Sequence, residues 1–227
     1  MMKATIAAER QFHEALMRIF VCAEDVARAI ARKASDRRFP AKAVIIKQGD
    51  KTSAAFLLLA GRAHALAYGI EGQLVLLNEF LPGDFFGALA TAVFSPDDAD
   101  VIAVEAARAA LFLAVDFVSL AETHGCVALV LSQSLLRQLQ FASLRMRERT
   151  TLSAVGRVHA ELLRLARLGD GRTIRPSPVL SALAVRVQST RETVSRTINA
   201  LERRGIIRRE ENALILVAPH RLEELVV

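Results

Sequence analysis

The sequence predicts an α+β fold made of three consecutive segments, residues 1–117, 118–152 and 153–227. In the first segment, short apolar runs are separated by glycines, a pattern typical of antiparallel strands in a sandwich or barrel. The second segment has helical periodicity and no proline. The third holds two short amphipathic helices followed by two strand-like runs. We therefore expect a β-rich domain, a long helix and a small mixed domain.

The β-rich domain is predicted from the spacing of its turn signals. Glycine recurs about every eleven residues between or beside the apolar runs, at Gly49, Gly61, Gly72 and Gly83. Glycine supplies the positive φ that tight turns between strands require. The strand candidates are Val44–Ile46, Ala55–Leu59, Ala63–Ala67 and Leu74–Leu77.

The long helix is predicted from Val118 to about Thr151. Its apolar side chains recur at spacings of three and four residues, so they form one stripe. The stripe consists of Leu131, Leu135, Leu139, Ala142 and Met146. Such a stripe packs either on the β-rich domain or against another helix, and the periodicity alone leaves both alternatives open.

The second helix of the last segment lies within STRETVSRTINALERRGII, residues 189–207. Ser189 or Thr190 is a suitable N-cap, and Glu192 lies three residues after Ser189, as in a capping box. The apolar face of this helix consists of Val194, Ile198 and Leu201, and its opposite face carries Arg191, Glu192, Ser195 and Arg196. Arginine pairs with guanine and glutamate accepts from cytosine, which favours base recognition over a solvated surface helix.

The flanking residues strengthen the prediction of a DNA-binding helix. Upstream, the segment 179–188 predicts a first helix with Leu180, Leu183, Ala184 and Val187 on one face. A short connection through Gln188 and Ser189 joins the two helices, as in a helix-turn-helix. Downstream, Gly205 ends the second helix, and residues 206–209 and 214–217 predict a hairpin, or wing. Its arginines, Arg208 and Arg209, would lie near DNA phosphates.

These motifs resemble the Crp/Fnr family of bacterial transcription regulators. Gly156-Arg157-Val158, the helix-turn-helix with RETVSR at 191–196, and the hairpin are similar to the family's winged-helix domain. The string from Val44 to Gly87 is similar to its cyclic-nucleotide-binding β-roll, a double-stranded β-helix, preceded by helical segments near Ala7–Lys33. Gln188 departs from the pattern, since many members have glycine in the turn.

The resemblance implies roles for individual residues. Base contacts are implied for Arg191, Glu192, Ser195 and Arg196, and the hypothesis for phosphate contacts is Ser189, Thr190, Thr193, Arg208 and Arg209. The resemblance also implies a homodimer through the long helix, with Leu131, Leu135, Leu139, Ala142 and Met146 at the interface. A two-fold dimer reads a near-palindromic operator on double-stranded DNA. RNA polymerase is the expected further partner.

Charge and composition agree with this prediction. Residues 153–227 hold thirteen arginines, no lysine and eight acidic residues, so most of the net charge of +6 lies in the last third. A localised basic surface is the electrostatic signature of duplex binding. Tryptophan is absent, which argues against base stacking on single strands. With no signal-peptide core and no long apolar run, we expect a cytoplasmic protein that does not engage the membrane.

The ligand cassette of the roll departs from that of relatives that bind cyclic AMP. A buried phosphate needs a charge-assisted partner. Ala88, after Gly87, occupies the place of the ribose-binding glutamate, and Asp100-Val101 falls where the phosphate-binding arginine and serine belong. Asp97 and Asp98 add further negative charge. On the long helix, the polar pair that meets the base in such relatives falls near Ala142 and Ser143, so one of its two polar side chains is lost. We therefore expect no control by cyclic AMP through this cassette, and no cofactor.

Other sensor and enzyme chemistries have weaker support. An iron–sulfur cluster needs about four thiolates, whereas Cys22 and Cys126 are the chain's two cysteines and match no disulfide or zinc spacing. Haem remains an alternative through His64, His124 or a cysteine, as does another nucleotide. A metal enzyme of the double-stranded β-helix type would need two histidines and a carboxylate, and His64 is alone in the roll. We expect a regulator with no catalytic residues and no metal.

Overall fold

The computed structural model describes residues 2–68, 74–89 and 99–226, with side chains from residue 9 onward. The chain divides into two compact units, Met1–Tyr68 with Leu77–Phe141, and Gly69–Leu76 with Ala142–Val227. The first is the sensory unit and the second is the winged-helix unit. Mixed helix and sheet are present in both, so the predicted α+β class is confirmed.

The sensory unit consists of two helices, eight strands, a short helix and most of a long helix. In chain order these are α1 Met2–Phe20, α2 Glu24–Arg32, β1 Ala34–Phe39, β2 Val44–Ile46, β3 Ala54–Ala60, β4 Ala63–Tyr68, β5 Leu74–Phe80, β6 Phe85–Gly87, β7 Asp100–Ala103, β8 Ala107–Leu113, α3 Ala114–Thr123 and α4 Gly125–Thr151.

Two antiparallel four-stranded sheets face each other in this unit, with strand orders β1-β8-β3-β6 and β2-β7-β4-β5. The strand β3 reads AAFLLLA and is apolar throughout because both of its faces are covered. Phe56 and Leu58 pack into the core between the sheets. Leu57 and Leu59 pack on the other side, into a core shared with the helices. This arrangement is the predicted β-roll.

Glycine turns connect the strands as predicted. Gly49, Gly61 and Gly83 all have positive φ. At Gly61 a Cβ atom would collide with the carbonyl oxygen of Ala106, so only glycine fits this turn. Gly72, the fourth predicted turn glycine, lies outside the described residues.

The predicted helix from Val118 to Thr151 is instead two helices. The helix α3 ends at Thr123, His124 adopts an extended conformation with φ −123° and ψ 103°, and α4 begins at Gly125. The two helices meet at 112°. Leu120 and Val127 are both buried in the helix-facing core, so the bend keeps both helices packed on the sheet. A continuous helix would have carried the chain away from it.

Polar contacts hold α4 against the roll. The buried carboxylate of Asp84 accepts two hydrogen bonds from Arg137, at 2.7 and 2.9 Å. Ser134, fully buried on α4, accepts a hydrogen bond from the backbone N–H of Phe85 at 2.9 Å. Gln138 donates to the Phe85 carbonyl at 2.8 Å. This face of α4 is therefore committed to the sensory unit.

The winged-helix unit contains the end of α4 and the elements α5 Ala154–Arg167, β9 Thr173–Ile174, α6 Leu180–Val187, α7 Arg191–Arg203, β10 Ile207–Glu210, β11 Ala213–Leu216 and α8 Pro219–Glu223. The predicted hairpin is β10–β11, with Ile207 opposite Leu216. A third strand, β9, pairs with β11, which the sequence analysis did not predict. One apolar core lies under the three main helices and the sheet.

Among the described residues, no single helix has the length and hydropathy needed to cross a membrane. The bent pair α3 and α4 meets that criterion only when its members are taken together.

Candidate nucleic-acid interface

The helix α7 begins at Arg191 because Thr190 caps it. Thr190 is extended, with φ −83° and ψ 151°, and its hydroxyl accepts a hydrogen bond from the backbone N–H of Thr193 at 3.1 Å. The prediction of Thr190 as N-cap is confirmed. The capping box between Ser189 and Glu192 is wrong, because the helix starts one residue too late for it. Glu192 instead pairs with Arg196 at 3.4 Å, one turn along the helix.

One face of α7 is buried in the core, and the opposite face is exposed to solvent. Val194, Ile198 and Leu201 are at most 2% exposed and belong to the core of the winged-helix unit. On the opposite face, the side chains of Glu192 and Arg196 are 75% and 71% exposed. Arg191 is also exposed and Ser195 is partly exposed. The core therefore fixes the orientation of a helix whose first two turns present charged groups to solvent.

The turn between α6 and α7 contains a strained residue. Gln188 has φ +49° and ψ 58°, the left-handed conformation that favours glycine. Its Oε1 atom is buried without a hydrogen-bond partner among the described residues. Arg157 on α5 supports the turn by donating to the carbonyls of Val187 at 2.8 Å and Gln188 at 3.2 Å. The turn thus has the left-handed conformation that favours glycine, although glutamine occupies it.

The two wing arginines differ in their surroundings. Arg208 is 65% exposed and pairs only loosely with Glu210, at 3.2 Å. Arg209 alternates to the other side of the strand, where it contacts Glu202 at 3.4 Å and donates to Asn199, both on α7. Arg208 is therefore available to a phosphate, whereas Arg209 ties the wing to the recognition helix.

A buried ionic cluster lies under the helix-turn-helix. Glu161 on α5 has a fully buried side chain and accepts hydrogen bonds from three guanidinium groups. Arg145 of α4 donates at 3.0 Å, Arg186 of α6 at 2.6 Å and Arg164 of α5 at 3.0 Å. One carboxylate thereby connects the end of the long helix with the first two helices of the winged-helix unit. The sequence analysis did not identify this cluster.

The protonation state of Glu161 follows from this geometry. Burial alone would raise the pKa of its carboxyl group, but Arg164, Arg145 and Arg186 outweigh burial and hold that pKa below its usual value. The carboxylate is therefore charged at neutral pH. His159 lies two residues earlier, and its imidazole donates a hydrogen bond to the Leu225 carbonyl at 3.0 Å. Burial lowers the pKa of this imidazole.

The structure describes four of the proposed cassette residues of the roll, Gly87, Ala88, Asp100 and Val101. Gly87 ends β6 with φ +84°, and a Cβ atom there would lie 2.5 Å from the Ala54 carbonyl oxygen. Ala88 donates its backbone N–H to that same oxygen at 2.9 Å. Asp100 accepts a hydrogen bond from the backbone N–H of Gln48 at 2.7 Å. Val101 is buried in the core between the sheets. Asp97 and Asp98 lie outside the described residues.

Aromatic rings fill the interior of the roll near this cassette. Phe86, next to Gly87, stacks on Phe56 with ring centroids 5.2 Å apart and on Phe80 at 4.8 Å. All three rings are buried in the core between the sheets. Among the described residues, the core next to Gly87 is therefore filled by these three rings.

The far side of α4 carries an exposed apolar surface. Of the predicted interface residues, Leu135, Leu139 and Met146 are 47%, 64% and 71% exposed, and Ala142 is exposed beside Ser143. Leu131 is only partly exposed because it packs against the helix-facing core of the sensory unit. The structure adds Leu129 and Leu136, at 59% and 55% exposure. Their seven-residue spacing, continued by Leu139 and Met146 seven residues apart, was a signal available in the sequence.

The alternative haem ligands have other surroundings. His64 lies 3.3 Å from Glu79 on the neighbouring strand. His124 occupies the break between α3 and α4. Among the described residues, no group of three or more histidine, cysteine or acidic side chains is arranged to hold a metal ion.

Two family models match the chain. The cyclic nucleotide-binding domain matches residues 36–124, and the Crp-like helix-turn-helix domain matches residues 156–225. The cyclic AMP receptor protein of Thermus thermophilus is 31% identical over 173 residues, which cover 76% of this chain and 79% of that protein. The cAMP-activated global regulator of Salmonella typhimurium is 27% identical over 75% of this chain and 83% of that protein.

Solved structures show the same architecture. A transcriptional regulator of this family from Thermus thermophilus, TTHA1359, has a TM-score of 0.67 at 26% identity, covering 85% of this chain and 98% of its own. The c-di-GMP-responsive global regulator of Xanthomonas campestris has a TM-score of 0.76 at 15% identity, covering 86% and 99%. The roll, the exposed recognition helix and these matches together place the chain in the Crp/Fnr family of DNA-binding transcription regulators.

Proposed function

We propose that this regulator acts as a homodimer that reads a near-palindromic operator with the first two turns of α7. The observation that carries the proposal is the exposure of Arg191, Glu192 and Arg196 on a helix whose other face is locked into the core. In helix-turn-helix proteins the N-terminal residues of the second helix contact base edges in the major groove. The Glu192–Arg196 pair is exposed and weak, so it can open toward the bases.

Within this proposal, the hydrogen-bonding groups of each side chain decide whether it is assigned to a base or to a phosphate. Arg191 and Arg196 donate to guanine, Glu192 accepts from cytosine, and Ser195 is a short-range donor or acceptor. Ser189, Thr190 and Thr193 lie where the helix begins, and the hydroxyls of Thr190 and Thr193 are 2.9 Å apart. These hydroxyls and Arg208 are assigned to phosphates. The contact with Asn199 makes Arg209 a weaker candidate for a phosphate contact than its sequence position suggests.

The dimer interface is assigned to the far side of α4. The face that carries Ser134, Arg137 and Gln138 is already occupied by the roll. Exposed leucines on the other side remain without a partner in one chain, and a second α4 with the same pattern would cover them. Two-fold pairing then places the two recognition helices on successive half-sites about one helical turn apart.

We further propose that cyclic AMP does not control this protein through the usual cassette, although relatives are named for that ligand. Ala88 presents a methyl group where a ribose would need a carboxylate. Asp100 would repel a cyclic phosphate, and its own carboxylate already accepts the Gln48 N–H. The Phe56–Phe86–Phe80 stack supports a filled interior. The proposal extends to the cytoplasm and to RNA polymerase as a partner, on the strength of bacterial family membership.

Selection of duplexes from a random pool would test the proposed DNA reading. The wild-type protein should enrich a two-fold symmetric sequence with G·C pairs in each half-site. Direct half-site repeats, or enrichment of no sequence at all, would contradict the proposal.

The dimer is tested by sedimentation of Leu139→Asp. A carboxylate at the centre of the apolar seam would be buried without a partner, so the variant should sediment as a monomer and lose operator affinity. Leu139→Met keeps an apolar side chain of similar size at the same position, and it should remain dimeric. A wild-type protein that is monomeric at micromolar concentration would overturn the assignment.

A further inference from the structure

The last turns of α4, residues 142–151, belong to the winged-helix unit and carry two different surfaces. Ala142 is exposed and Met146 is 71% exposed, and both belong to the proposed dimer seam. The side chain of Arg145, between them in the sequence, is only 11% exposed because it contacts Glu161 on α5. The proposed seam and the contact with α5 therefore share the same two turns of one helix.

A polar contact joins the end of α4 to α5. Among the described residues, the apolar core of the winged-helix unit takes its side chains from α5 onward and none from α4. The covalent connection between the two helices is short, and it consists of Leu152 and Ser153. Arg157 of α5 holds this connection by donating to the Leu152 carbonyl at 3.1 Å. The position of α5 on α4 itself therefore depends on Arg145 and Glu161 rather than on a shared apolar core.

The geometry of Arg145 fixes a direction as well as a distance. Its Nη1 atom donates to Glu148, one turn along α4, at 2.9 Å, and its Nη2 atom donates to Glu161 at 3.0 Å. A planar guanidinium that is held at two nitrogen atoms has little freedom to turn. Glu161 also accepts from Arg186 of α6 at 2.6 Å, and α6 leads through the turn into α7. Hydrogen bonds thus run from α4 through α5 to the helix that precedes the recognition helix.

We propose that Arg145 and Glu161 are positioning residues that set the half-site spacing of the operator. This inference rests on the proposed function, because it needs both the α4 dimer and a DNA-reading α7. The two copies share the seam on α4, so the distance between their recognition helices depends on how each copy holds α5 and α6 against its own α4. A buried ion pair suits this role, because it is satisfied in one geometry and is costly to break.

Operators with altered half-site spacing test this inference. Adding or removing one base pair between the half-sites moves each by about 3.4 Å and turns it by roughly 35° about the DNA axis. The wild type should bind both altered operators about tenfold or more weakly than the operator with the selected spacing. Arg145→Gln removes the contact from α4 and leaves Glu161 with its other two arginines, so this preference should shrink to about threefold or less.

Two further variants make the result specific. Arg164→Gln is the matched control, because Arg164 donates to the same carboxylate but lies on α5 with it, so its loss does not release α4. This variant should keep the wild-type spacing preference even if its stability decreases. Arg145→Lys keeps the charge but replaces the planar fork by a point charge, so it should fold and show an intermediate preference. The preference is a ratio of affinities measured on one preparation, so a partly unfolded fraction cancels from it.

The outcomes separate this inference from the proposed function. An unchanged spacing preference in both Arg145 variants, or an equal loss of preference in Arg164→Gln, would overturn the inference while the dimer and its operator stand. A wild type that binds all three spacings equally would overturn it too. A wild type that is monomeric, or that selects no symmetric operator, would contradict the proposed function and this inference with it.

Discussion

The interior of the winged-helix unit contains a buried charged cluster, whereas the core between the two sheets of the roll is apolar. In the winged-helix unit, Glu161 is buried among three arginines, and further arginines stand exposed on α7 and the wing. The core between the sheets of the roll holds instead a stack of three phenylalanines, Phe56, Phe86 and Phe80. Buried charge persists only where partners compensate its desolvation. The contrast supports the proposal that this chain reads DNA without control by cyclic AMP through the usual cassette.

The largest effect is expected from neutralising the buried cluster. Glu161→Gln removes the buried carboxylate on which three guanidinium groups converge, so the winged-helix unit should lose about 3–5 kcal/mol of stability. Hydrogen exchange of the α5 and α6 amides, together with chemical denaturation, measures the loss. The matched control is Glu223→Gln, which removes an exposed pair with Arg167 and should cost no more than about 1 kcal/mol. Equal effects of the two variants would show that burial at Glu161 contributes nothing.

A smaller effect is expected at the DNA surface. Arg196→Ala should cost about 1–3 kcal/mol of operator binding and relax the preference at one base step. Arg208→Ala should instead weaken specific and random DNA alike and reduce the salt dependence of binding. Binding isotherms on operator and scrambled duplexes at two salt concentrations distinguish the two roles. If Arg196→Ala weakens both duplexes equally, its assignment to a base is wrong.

Relief of backbone strain at Gln188 should increase the stability of the folded protein. Gln188→Gly removes a left-handed glutamine and its buried, unpaired amide oxygen, so the winged-helix unit should gain about 1 kcal/mol. Lys42→Gly is a matched test in the sensory unit, where Lys42 has φ +70° but an exposed side chain. A destabilised Gln188→Gly protein would mean that the glutamine side chain supports the turn.

The smallest effect concerns pH. Burial lowers the pKa of His159 in the folded state. As the pH falls through the ordinary pKa of histidine, the unfolded chain therefore takes up a proton at this residue before the folded chain does. Stability of the winged-helix unit should therefore decrease as pH falls below about 6.5. His159→Asn retains a donor for the Leu225 carbonyl but does not titrate, so its stability should vary less over this window. An unchanged pH profile would exclude His159 as the cause.

Local patterns were sufficient to predict the recognition helix but not every strand. The apolar face and N-cap of α7 depend on neighbours within one turn, so they are readable from sequence. The strand β8 reads ARAALFL and lacks alternation, because Ala109 faces one core and Ala110 the other. Burial on both faces depends on the neighbouring strands and helices, so the sequence of β8 alone does not predict it.

Long-range contacts account for most of what the sequence did not reveal. The partners of Glu161 come from three helices, and nothing local links Arg145 or Arg186 to it. The expectation for Ala88, in contrast, depends only on its own side chain, because a methyl group cannot supply the charge of a carboxylate.

Operator affinity measured with and without cyclic AMP tests the contrast between the two units most directly. We predict the same affinity in both conditions, and no heat of binding when cyclic AMP is titrated into the free protein. Because coupling between two sites is reciprocal, a ligand that raised operator affinity would itself bind more tightly in the presence of operator. Micromolar binding of cyclic AMP that also strengthens operator binding would contradict the proposal that this ligand does not control the protein through the cassette.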